Sequence, residues 1–150
     1  MKKDVILKMR SLQTSGGETS ETELMTDGVF SLSRGEYSVK YAESSATGFD
    51  GSDTVLTCKG DSFATIKRTG SFNSQLMLEV GKKHFCHYST PFGDMVVGIT
   101  TNTIKNELCS TGGSVYLNYS VDINSSFLSD NEIYVDISLS DKKAAGKECS

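Results

Sequence analysis

Between Ser62 and Thr103 the chain reads SFATIKRTGSFNSQLMLEVGKKHFCHYSTPFGDMVVGITTNT, four short runs of alternating residues broken at glycine-bearing turns. Successive side chains on a strand point to opposite faces, so a period of two marks a half-buried strand. On that count Ala64, Ile66 and Arg68 share a face, as do Leu76, Leu78 and Val80. His84, Cys86, Tyr88 and Thr90 form a third set, and Met95, Val97 and Ile99 a fourth. Gly70, the Gly81-Lys82-Lys83 corner and Gly93 supply positions that tolerate positive φ. Strands that break every ~8–12 residues predict an antiparallel meander closing into a barrel or sandwich.

The flanks repeat the pattern. Val5, Leu7 and Met9 alternate with Ile6, Lys8 and Arg10; Ser15-Gly16-Gly17-Glu18 reads as a turn. Glu21 to Phe30 follows as a strand with a bulge expected at Gly28. Ser33-Arg34-Gly35-Glu36 closes a hairpin into Tyr37, Val39 and Tyr41. A polar loop from Ser44 to Ser52 contains Asp50-Gly51, a dipeptide that favours tight turns, and Thr54 to Lys59 is the next strand. After a loop expected from Asn106 to Gly113, Val115, Leu117, Tyr119, Val121 and Ile123 give the cleanest alternation. Ile133, Val135, Ile137 and Leu139 repeat it beyond a loop expected from Asn124 to Asn131.

No window shows helical spacing of apolar residues, and Pro91 is the single proline. The expectation is one all-β domain over residues 1–150, with 140–150 a flexible polar tail. About eight to ten strands are expected, and a closed barrel is preferred because closure removes the unpaired edges of a long meander.

Composition excludes more than it names. A chain of 150 residues buries roughly 68–70% of its unfolded surface and needs no disulfide or metal to hold a core. The net charge of -4 argues against general nucleic-acid binding, whose footprint is a basic excess. Asp4, Lys8 and Arg10 interrupt the amino-terminal MKKDVILKMRSLQ, so no signal peptide is expected, and no run approaches the ~18 apolar residues of a membrane span. A cytoplasmic setting follows as the expectation, with Cys58, Cys86, Cys109 and Cys149 as free thiols and no Cys-x-x-Cys pair.

Lys83-His84-Phe85-Cys86-His87 has the residue types of a metal or thiol site. On a strand His84 and His87 point to opposite faces, whereas zinc wants four ligands, or three and an open position. No metal and no cofactor are expected. A thiol enzyme would use Cys86 as nucleophile and His84, on the same face, as base, although a buried inert cysteine is the commoner arrangement. Gly48 to Asp53 lacks the spacing and terminal Glu of a calcium loop and reads as a turn.

More informative are the charges that alternation sends inward. Arg68 lies on the face of Ala64 and Ile66, and Glu43 on that of Tyr37, Val39 and Tyr41. A charge inside a barrel must be paired. Either Arg68 is bridged to a carboxylate, or Arg68, with Tyr41 and Tyr88 nearby, holds an anionic ligand bidentately. The candidate ligand-binding residues are therefore Arg68, Glu43, Tyr41 and Tyr88.

Several features recur in a particular order: Gly28, the hairpin after Leu32, Tyr41-x-Glu43, Arg68-x-Gly70, a strand ending at Gly81, then Tyr88-Ser89-Thr90-Pro91-Phe92-Gly93 and a strand entering Thr100-Thr101. With the Val115 to Tyr119 strand downstream, these make the chain resemble the YwiB-like family of small bacterial proteins of unknown function, over residues 4–139. The resemblance implies a calycin-like, lipocalin-like barrel in a bacterial cytoplasm and carries no activity with it. Its motif residues here are Arg68, Gly70, Tyr88, Thr90, Pro91, Phe92, Gly93 and Thr101, while Cys86-His87 and the Cys149 tail fall outside the pattern.

The functional expectation is a non-enzymatic binding module for a small amphipathic or anionic ligand in the barrel interior, with no nucleic-acid or membrane partner. The alternatives are a filled barrel that works through its outer face and a thiol enzyme built on Cys86 and His84.

Overall fold

Alternation produces ten strands among the described residues. The computed structural model describes residues 2–43, 51–71, 73–90, 93–123 and 126–139, with residues 88–90, 93 and 94 described by backbone only. The strands are β1 (Lys2–Ser15), β2 (Glu18–Ser33), β3 (Glu36–Ala42), β4 (Ser52–Lys59), β5 (Phe63–Gly70), β6 (Ser74–Glu79), β7 (Lys83–Thr90), β8 (Gly93–Cys109), β9 (Gly112–Ile123) and β10 (Ser126–Leu139). They form one antiparallel meander that closes as a barrel, β10 returning to β1 with Val5 opposite Leu139 and Thr14 opposite Asp130. The expected all-β meander and its closure are thus observed. No helix among the described residues is long and apolar enough to cross a membrane.

Two of the hairpins use the left-handed residues that two-residue turns require: Gly16 and Gly17 have φ of 60° and 83°, and Arg34 and Gly35 have 52° and 79°. The alternation then sorts side chains as counted. Val5, Leu7, Phe30, Leu78, Ile99 and Leu117 are buried, whereas Met25 and Phe85 point outward.

Four expectations are corrected. Gly28 is not at a bulge: it stays in register, opposite Val5 on one side and Tyr41 on the other. A Cβ there would meet the Lys40 carbonyl oxygen at 2.9 Å, so close approach of the β3 backbone, not slippage, explains the glycine. The loops expected over 106–113 and 124–131 are mostly strand, because β8 runs on to Cys109 and β10 begins at Ser126. The turn residues in those segments misled, since Gly112 and Gly113 open β9 within the ladder. Cys109 is disulfide-bonded rather than free, while Cys58 and Cys86 are free and buried. Residues 44–50 of the predicted β3–β4 loop, which include part of the Gly48–Asp53 turn, lie outside the described residues. So do Pro91, Phe92 and the tail from 140 to 150.

One wall differs from the rest. Among the described residues the β6–β7 ladder consists of the single pair Ser74–Tyr88. Further along, the Met77 N–H donates to Cys86 Sγ at 3.3 Å.

Candidate functional site

The residues expected to point inward meet at one end of the barrel. In an antiparallel meander the C-terminal ends of β3 and β5 lie beside the starts of β4 and β6, and the register fixes their side chains in a row. Tyr41 lies opposite Thr54, Thr54 opposite Arg68, Arg68 opposite Ser74, and Ser74 opposite Tyr88. Glu43 follows one inward step beyond Tyr41, its backbone N–H bonded to the Ser52 carbonyl at 2.9 Å.

Two glycines draw β4 and β5 together here. Gly70 has φ of 121°, and a Cβ on it would come within 2.6 Å of the Gly51 carbonyl oxygen. The Ser71 N–H donates to that same carbonyl at 3.2 Å. A side chain at position 70 would push apart the strands that hold Thr54 and Arg68, which accounts physically for Arg68-x-Gly70.

Arg68 and Glu43 form an ion pair with side-chain exposures of 12% and 2%. Arg68 Nη2 and Nε donate to Glu43 Oε2 at 3.3 and 3.4 Å. The Thr54 hydroxyl donates to the same oxygen. Arg68 Nη1 donates to Ser74 Oγ at 3.3 Å. Beside them the Tyr41 hydroxyl points to Met9 Sδ at 3.8 Å. Burial drives the Tyr41 phenol well above its usual range, and the negative charge of Glu43 adds to the rise.

Arg68, Glu43 and Tyr41 form the polar side of a cavity of about 200 Å³, with Thr54 and Ser74 bonded to the pair from outside its lining. Leu56, Ile66, Leu76, Leu117 and Ile133 give it apolar walls, and Ser11, Thr22 and Asn131 add uncharged polar groups. Its volume lies between a ~150 Å³ cavity that holds benzene and the ~300 Å³ at which drug-sized pockets begin.

Of the sequence candidates, the structure therefore brings Arg68, Glu43 and Tyr41 onto one cavity. Tyr88 lies on the same register row by its backbone. Thr90 and Gly93 meet at the β7–β8 end of that ladder. Thr101 is buried in β8 opposite Tyr119. Thr54 and Ser74 were missed. Both hold inward positions, Thr54 in the series with Leu56 and Cys58 and Ser74 in that with Leu76 and Leu78, so the same parity count that singled out Arg68 contained them.

Cys86 and His84 are differently engaged. The Cys86 thiol is buried, and that burial raises it above its ordinary range, partly offset by the Met77 N–H. His84 Nε2 is 3.0 Å from Glu79 Oε1. That bond to His84, together with Lys82, holds the Glu79 carboxyl below its usual range. A buried thiol held in its protonated form is a poor nucleophile. His87 is exposed on the opposite face.

Comparison with known proteins gives a family and a fold. Residues 7–135 match the model of a domain of unknown function, DUF1934. The crystal structure of the ywiB protein from Bacillus subtilis superposes with a TM-score of 0.75 at 17% identity, covering 90% of this chain and 92% of that one. Among curated proteins none matches.

Proposed function

This chain belongs to the DUF1934 family, a domain of unknown function, and we propose that it is a non-enzymatic binding module holding a small amphipathic molecule inside the barrel. The observation that carries this reading is the cavity itself. Apolar walls from Leu56, Ile66, Leu76 and Leu117 face a polar row anchored by the Arg68–Glu43 pair, the combination of greasy lining and few fixed polar groups that suits small-molecule sites. A volume of about 200 Å³ limits the occupant to something not much larger than one substituted ring.

Native mass spectrometry of the purified protein tests it. The expected result is a co-purifying small molecule that is released on denaturation and is lost when Leu76→Phe fills the cavity. Protein that is unliganded in every preparation, and that instead retains a partner protein, would favour work on the outer face. Phe85 and Val96, 71% and 50% exposed on the outer side of β7 and β8, are the observation behind that second reading.

A further inference from the structure

We infer that the cavity selects an uncharged hydrogen-bonding ligand and rejects an anionic one, with Glu43 as the residue that sets the choice. This rests on the binding-module reading and narrows it. Arginine beside Tyr41 invites an anion, and in an unpaired site a carboxylate would take the guanidinium fork bidentately. Here that fork is engaged. Two of its N–H groups converge on Glu43 Oε2 and a third reaches Ser74 Oγ. Thr54 supplies another donor to the same carboxylate oxygen.

The pair is also deeply placed, Glu43 at 2% side-chain exposure, so little solvent screens it. The pair itself sums to zero charge, and Glu132, which also lines the cavity, accepts a hydrogen bond from the Tyr116 hydroxyl at 2.6 Å. An incoming carboxylate that reached Arg68 would lie beside the buried Glu43 carboxylate and leave one negative charge uncompensated, the like-charge juxtaposition that interfaces use to refuse partners. A neutral amide or hydroxyl avoids that repulsion. It meets Ser11, Thr22 and Asn131 around the same cavity, groups that both donate and accept. Glu43 thus acts as a built-in counterion occupying the place an anionic ligand would need.

The test uses two probes of the same shape, benzamide and benzoate, titrated at pH 7 into the isotope-labelled full chain while the backbone amides of Ile66, Leu76 and Leu117 are followed by NMR. Benzamide is expected to bind at least tenfold more tightly than benzoate. Glu43→Gln is expected to strengthen benzoate relative to benzamide at least tenfold. Equal or tighter binding of benzoate by the unmodified protein overturns the inference and leaves the binding-module reading standing. A Glu43→Gln protein that folds but still discriminates as before overturns the role of Glu43. Should that variant fail to fold, the comparison of the two probes on the unmodified protein decides by itself. If neither probe moves a cavity amide, the binding-module reading fails, and this inference falls with it.

Discussion

Replacing Arg68 by methionine removes the cation from a carboxylate that the fold has taken almost entirely out of water. The side chains are 12% and 2% exposed, so the weak-surface-pair expectation does not apply. Breaking a buried pair from one side costs about 3–5 kcal/mol, because the remaining charge is left in a poor solvent. The Ser74 hydroxyl also loses its bond from Nη1, a loss of roughly 1 kcal/mol already contained in that total. For a domain of this size each kcal/mol moves Tm by about 2–4 °C, so Arg68→Met is expected to melt roughly 6–20 °C lower. Urea unfolding with an unchanged m-value is the appropriate assay.

The double variant Glu43→Leu/Arg68→Met, which replaces the pair by apolar side chains, is expected to recover to within about 1 kcal/mol of the starting protein. A single variant within about 0.5 kcal/mol of the parent, the usual range for surface substitutions, would show that the pair is solvated and would refute the reasoning. A double variant as unstable as the single would assign the loss to packing of the arginine stem instead of to charge.

Cys58 gives a prediction in alkali. Burial pushes its thiol up to about 12, while an unfolded cysteine titrates near ~8.5. The folded state keeps a proton that the unfolded state releases. Stability is therefore fully present below about 8.5 and falls as pH rises toward 12, by at most about 1.4 kcal/mol per pH unit from this group. Cys58→Val is expected to flatten the urea-measured stability slope between about pH 9 and 10.5, and an unchanged slope would show that the thiol is not shielded. At Gly28 a methyl group would press on the Lys40 carbonyl at 2.9 Å and Val39 Cγ2 at 3.3 Å. Gly28→Ala is therefore expected to cost about 1–3 kcal/mol in urea unfolding, and a neutral substitution would mean that β2 and β3 separate freely there.

Much of the architecture was legible because its cause is local. The parity of Val5, Leu7, Val115, Leu117 and Tyr119 put them inward, and each is at least largely buried. The Gly16-Gly17 and Arg34-Gly35 turns sit where their backbone freedom is needed. Errors came where a residue's local habit was overruled by its neighbours. Gly28, Gly112 and Gly113 read as bulge or loop, yet they lie in register within the ladder where adjacent backbone leaves no space for a Cβ. At the site, parity identified Arg68, Glu43 and Tyr41, but it did not pair them or find Thr54 between Tyr41 and Arg68.

The sequence by itself determined a two-faced strand repeated along the chain, the turns that reverse it, and the inward aim of two opposite charges. Only the tertiary structure decided that those charges neutralise each other, that Thr54 and Ser74 complete their hydrogen bonding, and that a cavity of about 200 Å³ remains beside them. The physical reason is one of range. Alternation acts between consecutive residues, whereas charge compensation and unfilled volume depend on side chains from remote strands whose positions are set only when register and closure are fixed together.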